Sequence, residues 1–298
     1  MAERVGIIGL GIMGGAMMRN LRQAGFDITG YDVAQGAMAR LVEAGGTAAA
    51  SSRAVGEAAP IVITSLPSVA ALQDAIAGLC ASAGRGQIVI ECSTMPLAAK
   101  EAAREALAAT GKILLDCPLS GTGAQAARKD LVVFASGDEA AYQRCAAIFA
   151  GISRAQRYLG AFGNGSKMKF IANHLVTVHN VAAAEAIVLA VKAGLDPHLV
   201  TEVISDSAGA SRMFQMRAPL MADSNNDAPT ATMKTHMKDI DIIGRFAQEL
   251  DCPTPLFAAA VQFYLAAMSE GRGHQDTAAV CAVLERMAGI VRDGSNAA

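Results

Sequence analysis

Lys169 and Asn173 are the two residues whose types and spacing best suit proton transfer. They stand four residues apart in the run Gly163-Asn164-Gly165-Ser166-Lys167-Met168-Lys169-Phe170-Ile171-Ala172-Asn173. On a helix this spacing places both side chains on one face. A lysine held in a cleft can have its pKa lowered from about 10.4 towards neutrality, and it can then move protons. The competing interpretation is a surface lysine, which this segment taken alone favours.

A glycine-rich turn near the N-terminus suits a dinucleotide. The residues Gly9-Leu10-Gly11-Ile12-Met13-Gly14 follow a short apolar run and precede a helical pattern, which is the context that GxGxxG needs. Gly9 would allow the tight turn, Gly11 would let the backbone approach a pyrophosphate, and Gly14 would let the helix pack on the strand. The helix N-terminus would present its N–H groups to the phosphates.

Asp32 supplies the second part of this fingerprint. It follows the next apolar run, about 20 residues after the glycines, where a carboxylate accepts hydrogen bonds from the ribose hydroxyls of NAD. A carboxylate there would repel a 2′-phosphate, and no arginine follows immediately, so the sequence predicts NAD rather than NADP. A solvated turn residue is the weaker alternative.

Three more loops follow predicted strands, at the edge where open parallel sheets bind ligands. One contains Leu66 and Pro67, and another contains Thr94; both could equally cap helices, a role compatible with ligand contact. The third is Asp116-Cys117-Pro118-Leu119-Ser120-Gly121-Thr122-Gly123-Ala124. Its small residues would expose backbone N–H groups and form an anion site suited to a carboxylate. An ordinary flexible loop is an equally good interpretation of that segment.

The elements that must position these residues change type along the chain. Apolar strand patterns alternate with helical ones up to about residue 162, which predicts a doubly wound, mostly parallel sheet of the Rossmann type. The last of these strand patterns is Leu131–Ala135. From about 164 to 193 one long apolar helical pattern follows, and helical patterns then continue to the end. We therefore predict an α/β domain over 1–162 and an all-helical domain over 163–298 whose first helix could line a cleft.

Composition excludes several classes of protein. Hydrophobic residues make up 52% of the 298 residues and charged residues 17%, which supports a sizeable core. The net charge of -2 and the scattered basic residues give no nucleic-acid surface. The six cysteines form no CxxC pair or metal-ligand spacing, which indicates reduced thiols and no metal site. No signal-peptide layout and no membrane-length apolar run are expected, so the predicted location is the cytoplasm.

Taken together, the motifs resemble the β-hydroxyacid dehydrogenases, in order and over nearly the whole chain. The resemblance rests on GLGIMG, STMP, DCPLSGTG, the run from Gly163 to Asn173, Met237-Lys238-Asp239 and Gly271-Arg272-Gly273-His274-Gln275-Asp276. It implies a Rossmann domain followed by a helical domain of the 6-phosphogluconate dehydrogenase type. The implied reaction is hydride transfer between NAD and a small β-hydroxy acid, or the reverse reduction of a semialdehyde.

The resemblance also implies roles for individual residues. Lys169 would exchange the hydroxyl proton, and Asn173 would orient that hydroxyl. Ser120 would bind the substrate, with the Gly121 and Thr122 N–H groups on its carboxylate. Thr94 would lie near the nicotinamide ribose, and Leu66 and Pro67 would line the cofactor cleft. Lys238 would lie near the nicotinamide and the substrate, with Asp239 holding the local structure. Homodimers or homotetramers are also implied.

The sequence departs from the family pattern at two positions. Thr122 stands where a second glycine usually follows Ser-Gly, and Lys129, after Arg128, stands where a glycine usually follows the next short helix. Arg128 or Lys129 would then contact a second anionic group on the substrate, or form a solvated charged turn, which we favour.

Three other functions use parts of the same pattern. An imine reductase shares the fold and the cofactor, but such relatives usually replace the lysine that stands here as Lys169. A non-catalytic NAD-binding scaffold protein would have no need of that lysine. A methyltransferase could use the glycine turn and the acidic ribose contact without the later motifs.

Overall fold

The structure is a computed structural model that describes residues 3–227, 229 and 231–292. The two positions that begin the predicted first domain and the six that end the predicted second domain lie outside the described residues. The chain divides into two compact units, one ending at Lys169 and the other beginning at Phe170. The domain boundary predicted between 162 and 163 stays a prediction.

The first unit is built on a six-stranded parallel sheet in the order β3-β2-β1-β4-β5-β6. The chain therefore changes direction across the sheet between β1 and β4, the point where open α/β sheets bind ligands. The strands are β1 (Arg4–Ile8), β2 (Asp27–Tyr31), β3 (Thr47–Ala48), β4 (Ile61–Thr64), β5 (Ile88–Glu91) and β6 (Ile113–Asp116).

Helices cover both faces of this sheet, because its central strands are apolar on both faces. Ile61, Val62 and Ile63 of β4 are all fully buried, and they divide between two apolar clusters, one on each face. Ser51 and Ser68 cap α3 and α4 by accepting a backbone N–H. The helices are α1 (Ile12–Gln23), α2 (Gln35–Glu43), α3 (Ser52–Ala58), α4 (Val69–Cys80), α5 (Leu97–Ala108), α6 (Gly123–Ala127), α7 (Glu139–Arg144) and α8 (Ala146–Ile152). The predicted Rossmann class is confirmed.

A second, three-stranded sheet corrects one expectation. The strand predicted at Leu131–Ala135 is β8 (Val132–Ala135), and it does not extend the large sheet. It pairs antiparallel with β7 (Leu119–Ser120) and parallel with β9 (Ala155–Tyr158). β8 pairs with the chain immediately after β6, with a single bridge between Asp116 and Ser136, so it holds the Ser120 loop in place.

The second unit is helical throughout its described residues, apart from one isolated bridge between Thr232 and Asp276. It begins within α9 (Asn164–Lys192), a continuous helix that covers nearly all of the stretch predicted to be one long helix. The other helices are α10 (Pro197–Ser205), α11 (Arg212–Ala222), α12 (Met233–Glu249), α13 (Pro255–Ser269) and α14 (Val280–Met287), with short 3₁₀ turns at Arg272–His274 and Thr277–Ala279. The predicted all-helical second part is confirmed for these residues.

α9 corrects the expectation that no apolar run has membrane length. By length and composition it is the one helix of the described chain that could cross a membrane, and 44% of its most apolar window is buried. Thr177 and Asn180 on this helix are fully buried, and Asn180 donates to the Tyr264 hydroxyl and the Thr277 carbonyl. Buried polar groups bonded in this way are typical of a helix inside a folded core.

Candidate active site

The glycine loop between β1 and α1 has the geometry that a dinucleotide requires. Gly9 has φ +89°, and a side chain there would overlap the Ser65 carbonyl. A side chain at Gly14 would overlap the Gly9 carbonyl, so this glycine permits the close packing of helix on strand. Gly11 differs, because a Cβ there would meet no protein atom within 4 Å. Gly11 therefore faces open space beside the uncapped N-terminus of α1, where the first N–H groups can bind phosphate.

Asp32 is tied to this loop by backbone hydrogen bonds. Its Oδ2 accepts from the Leu10 N–H at 2.6 Å, and its Oδ1 accepts from the Ala34 N–H at 2.8 Å. Each carboxylate oxygen has two lone pairs, so each can still accept a hydrogen bond from a hydroxyl group. Asp32 therefore stiffens the glycine loop and keeps lone pairs that could accept from ribose hydroxyls, so the described residues fit the adenosine half of NAD.

The loops after β4 and β5 lie next to each other along the same sheet edge. The Leu66 N–H donates to the Ser93 hydroxyl at 2.8 Å, and the Ser93 N–H donates to Glu91 Oε1 at 2.9 Å. Leu66 and Thr94 are half-buried and Pro67 is exposed. The structure thus brings the predicted cofactor residues of these two loops together, with Ser93 as a bridge that the sequence reasoning had not singled out.

The Ser120 loop packs over the first turn of α1. The Asn20 side chain on α1 donates to the Ala126 carbonyl at 2.8 Å, and a side chain at Gly123 would overlap that of Ile12. Ser120 is half-buried, and among the described residues its hydroxyl makes no hydrogen bond. Gly121 has φ +140°, and a Cβ there would lie 2.6 Å from Leu131. The first unit therefore brings the predicted carboxylate loop beside the glycine loop.

Thr122 and Lys129, the two departures from the family pattern, have structural explanations. Thr122 caps α6 in a reciprocal pair with Gln125, whose Oε1 accepts the Thr122 N–H at 3.0 Å. That N–H, predicted to bind the substrate carboxylate, therefore already has a partner. Lys129 follows α6 with φ +61°, a left-handed conformation that explains why glycine is the usual residue. Arg128 is exposed and ends the helix.

A buried ion cluster joins the ends of β5 and β6 to the start of α9. Lys100 Nζ lies 2.6 Å from Glu91 Oε2 and 2.7 Å from Asp116 Oδ1, and all three side chains are fully buried. Burial alone would lower the pKa of Lys100, but the Glu91 and Asp116 carboxylates outweigh it and raise the pKa above its ordinary value. Lys100 is therefore held as a cation, and its single positive charge is shared by two carboxylates.

The first turn of α9 supplies the remaining compensation. The Ser166 N–H and hydroxyl donate to Asp116 at 2.7 and 2.8 Å, and the Gly165 N–H donates to the Ser136 hydroxyl at 2.9 Å. Ser136 in turn donates to the Asp116 carboxylate. A helix N-terminus carries partial positive charge, so a buried anion stabilises it.

Lys169 lies one turn after this anchor. It is 9% exposed, so it is a buried lysine and not the surface lysine of the competing interpretation. Asn173, one turn further on α9, is also buried, and its Nδ2 donates to Asp239 Oδ2 at 2.8 Å. A carboxylate only accepts, so this bond directs the amide oxygen of Asn173 away from Asp239 and leaves it as a hydrogen-bond acceptor.

Lys238 and Asp239 on α12 complete a second group of predicted residues in the second unit. Lys238 Nζ lies 3.2 Å from Asp239 Oδ1, and its side chain is 36% exposed. Behind them, His236 Nε2 is 2.9 Å from the Thr177 hydroxyl, which donates to the Asn173 carbonyl. This polar chain sets the register between α9 and α12, and therefore the orientation of Asn173.

Sequence reasoning missed the buried cluster, apart from Asp116 as a member of a motif. One signal was available for Glu91 and Asp116, since each ends an apolar strand that is buried on both faces. A carboxylate in such a place needs a cation or helix N-terminus. Lys100 gives no comparable signal, because it stands in an alanine-rich helix whose other charges face solvent.

Two family models cover nearly the whole chain. Residues 4–160 match the NAD-binding domain of 6-phosphogluconate dehydrogenase, and residues 163–284 match the NAD-binding domain of NADP-dependent 3-hydroxyisobutyrate dehydrogenase. The L-threonate dehydrogenase of Cupriavidus necator is 34% identical over 94% of this chain and 95% of its own length.

The chain belongs to the β-hydroxyacid dehydrogenase family.

Other members of the family agree in sequence and structure. The NAD-dependent L-serine dehydrogenase of Pseudomonas aeruginosa is 32% identical over 93% of this chain and 96% of its own. The crystal structure of 3-hydroxyisobutyrate dehydrogenase from Salmonella typhimurium superposes with a TM-score of 0.85 at 31% identity, over 94% of this chain and 99% of that one. The predicted class of enzyme, an oxidoreductase that uses a nicotinamide dinucleotide and acts on hydroxy acids, is confirmed at the level of the family.

Proposed function

We propose that this β-hydroxyacid dehydrogenase uses Lys169 as its general acid and base in the interconversion of a small β-hydroxy acid and its semialdehyde. The observation that carries the proposal is the burial of Lys169, one turn beyond a helix start that is held by a buried carboxylate. During oxidation the neutral amine of Lys169 takes the proton of the substrate hydroxyl, and during reduction the ammonium returns it to the carbonyl oxygen. Bound NAD supplies the hydride acceptor or donor.

Asn173 and Ser120 are proposed to orient the substrate. One N–H of the Asn173 amide donates to Asp239, so the other would donate to the oxygen of the substrate hydroxyl and leave the hydroxyl proton directed at the Lys169 amine. The Ser120 hydroxyl and the Gly121 N–H donate to the substrate carboxylate. The Thr122 N–H could reach the substrate only if its hydrogen bond to Gln125 broke. We therefore propose that Ser120 and Gly121 bind the carboxylate without it.

The cofactor is proposed to lie along the carboxyl edge of the parallel sheet. Gly9, Leu10, Gly11, Ile12, Met13 and Gly14 would hold the pyrophosphate, and Asp32 would hold the adenosine ribose. Leu66, Pro67, Thr94 and Lys238 would contact the nicotinamide half. The carboxylate of Asp32 favours NAD over NADP.

The substrate is proposed to be 3-hydroxyisobutyrate or a similar acid, or tartronate semialdehyde in the reverse direction. The C. necator and P. aeruginosa relatives are named for L-threonate and L-serine, which share a carboxylate and a nearby hydroxyl with these compounds. These names support the class of substrate, and its side chain is left to experiment.

Domain limits, assembly and location complete the proposal. We propose NAD binding by residues 1–162 and substrate binding and assembly by 163–298, in agreement with the ranges of the two family models. Exposed apolar side chains on α9, α10 and α13 support a homodimer or homotetramer: Ile171, Leu175, Leu189, Leu199, Val203, Leu256 and Leu265. Light scattering of the purified protein tests this oligomeric state. We also propose a cytoplasmic location.

Lys169→Ala tests the catalytic assignment. Turnover is followed by reduced-nicotinamide absorbance with NAD and a panel of 3-hydroxyisobutyrate, L-serine, D-glycerate and L-threonate. We expect kcat to fall about 10²- to 10⁴-fold, the usual contribution of general acid–base catalysis, while NADH still binds. Lys167→Ala is the matched control, because Lys167 is exposed and, two residues away, points to another face of α9.

Three results would contradict the proposal in different ways. Activity of Lys169→Ala within a few-fold of wild type would exclude the lysine as the proton-transfer group. Turnover of cyclic imines but of no hydroxy acid would support an imine reductase. NADH binding without turnover of any panel member would support a non-catalytic scaffold protein.

A further inference from the structure

We propose that the buried cluster of Glu91, Lys100 and Asp116 is a positioning device that sets the location of Lys169 through the first turn of α9. The inference rests on the proposed function, since it concerns how that lysine is held. Lys100 is fully buried and contacts two carboxylates, so it acts as a positioning residue and touches no substrate.

The connection from Lys100 to Lys169 runs through Asp116 and Ser166 to the first turn of α9. Lys100 holds Asp116 Oδ1 at 2.7 Å, and Asp116 receives both the N–H and the hydroxyl of Ser166. Gly165 packs so closely that a Cβ there would overlap the carbonyls of Phe134 and Asp116. The start of α9 is therefore fixed against both sheets of the first unit.

A fixed helix start fixes Lys169. Lys169 stands three positions after Ser166, which is about 4.5 Å along a helix axis, and a regular helix transmits any shift of its first turn over that distance. A displacement of about 1 Å at a catalytic group can lower a rate by about 10²-fold. Weakening the anchor should therefore lower kcat more than it lowers affinity.

The charges explain why the anchor is ionic. An apolar contact would bury the helix start without fixing its rotation, whereas Asp116 receives two directed hydrogen bonds from one residue, Ser166. Lys100 and Glu91 in turn restrict the Asp116 carboxylate, with Glu91 also accepting the Ser93 N–H. The same cluster therefore joins the Thr94 loop to the start of α9.

Ser166→Ala and Lys100→Met test this proposal in the full-length enzyme. Ser166→Ala removes one hydrogen bond and keeps the backbone contact, so it should fold and lower kcat roughly ten-fold, with KM for the hydroxy acid and Kd for NADH within about two-fold. Ser166→Thr keeps the hydroxyl and should restore most of the rate. Lys100→Met should lower kcat on the order of 10²-fold in the fraction that folds.

Lys112→Met is the matched control for loss of a buried lysine. Lys112 is 4% exposed, stands just before β6 at the opposite end of that strand from Asp116, and donates to the Ser82 carbonyl. Lys112→Met should lower thermal stability and leave kcat per folded molecule unchanged. A kcat loss in Ser166→Ala with rescue by Thr, absent in Lys112→Met, supports the proposal.

Two results would overturn it. One is kcat within two-fold of wild type in both Ser166→Ala and Lys100→Met. The other is a loss in Lys112→Met equal to theirs, which would reduce the effect to general stability. If Lys169→Ala keeps its activity, the proposed function fails by itself; if Lys169→Ala is inactive and either result above is obtained, only the positioning role fails.

Discussion

Replacing Asp32 with serine should change which dinucleotide this enzyme binds. The Asp32 carboxylate accepts hydrogen bonds from the Leu10 and Ala34 N–H groups at 2.6 and 2.8 Å, and its remaining lone pairs are the proposed acceptors for the ribose hydroxyls. Serine keeps one oxygen that can accept a backbone N–H, so the glycine loop should lose about 1 kcal/mol of stability. The negative charge is lost completely.

The size of the effect follows from the bonds and the charge. Hydrogen bonds to charged groups contribute about 1.5–3 kcal/mol each. Asp32→Ser removes the hydrogen bonds between the carboxylate and the ribose hydroxyls, and serine and water replace them only in part. NADH binding should therefore weaken by about 2–3 kcal/mol, or about 30- to 150-fold. A 2′-phosphate carries about -1.5 to -2 charges, and repulsion from a carboxylate about 4 Å away costs about 1–4 kcal/mol per unit charge. Asp32 is half-buried, so the lower value of about 1 kcal/mol per unit charge applies, and the preference for NADH over NADPH should fall by about 3.5–5 kcal/mol in total, on the order of 10³-fold.

The fluorescence of bound NADH and NADPH measures both constants directly, because the chain has no tryptophan to interfere. Asp27→Ser is the matched control: Asp27 begins the same strand, its side chain is 59% exposed, and it pairs only with Arg22 at the surface. That variant should bind both dinucleotides as wild type does. Unchanged NADH affinity in Asp32→Ser, together with unchanged rejection of NADPH, would refute the assignment of Asp32 to the ribose.

Three further predictions test other parts of the structure. Gly11→Ala should leave the unfolding midpoint unchanged, because its methyl group meets no protein atom within 4 Å, but should abolish NADH binding as followed by fluorescence; retained binding would place the phosphates elsewhere. Asp239→Asn should lower kcat about ten-fold, because it weakens the hydrogen bond that orients the Asn173 amide. Asp241→Asn, which alters only an exposed ion pair with Arg245, should leave kcat unchanged. Equal effects of the two substitutions on kcat would exclude a positioning role for Asp239. Burial raises the pKa of Cys145 and Cys281 to about 12 from 9.0, so only the unfolded chain releases these protons above pH 9. Stability should therefore fall as pH rises from 9, by about 1.4 kcal/mol per pH unit for each thiol, and equal urea midpoints at pH 8 and pH 10 would contradict this.

The sequence predicted the elements whose periodicity is strong. β4 is the apolar run Ile61-Val62-Ile63-Thr64 in the region where strand patterns were predicted, and α9 begins at Asn164, where the long helical pattern was predicted to start. The roles predicted for Gly9 and Gly14 match the structure, because close backbone contacts at these positions exclude a side chain. Such features depend on local sequence, and local sequence is what periodicity and motif rules describe.

Three strands escaped prediction for physical reasons. β3 and β7 have two residues each, too few to establish an alternating pattern, and β9 (Ala155–Tyr158) includes Gln156 and Arg157. The second sheet was missed for the same reason, since β8 alone gives no indication of which sheet it joins. The capping role of Thr122 depends on Gln125 three residues later, which lies beyond the glycine-rich segment that predicted the anion site.

The buried cluster could not be derived from any local pattern. Asp116 and Ser166 are 50 residues apart, and only the packing of α9 on the ends of β6 and β8 brings them together. The strand order, however, explains where each part of the proposed site lies. The carboxyl ends of the strands present the site features in spatial order across the sheet. Asp32 follows β2, the glycine loop follows β1, the Leu66 loop follows β4, the Thr94 loop follows β5, and Asp116 ends β6.

This order matches what an extended dinucleotide and a proton-transfer group require. Asp32, the proposed adenosine contact, is at one side of the sheet, the proposed phosphate loop is at the change of direction, and the anchor of α9 is at the other side. Because parallel strands all end at one edge, each element needs only to reach its neighbour, and Ser93 links the loops after β4 and β5 by accepting from Leu66 and donating to Glu91. A perturbation of Glu91 should therefore affect both the Thr94 loop and α9, whereas one at Asp32 should affect the cofactor alone. That separation explains why cofactor choice and proton transfer can be tested independently in this chain.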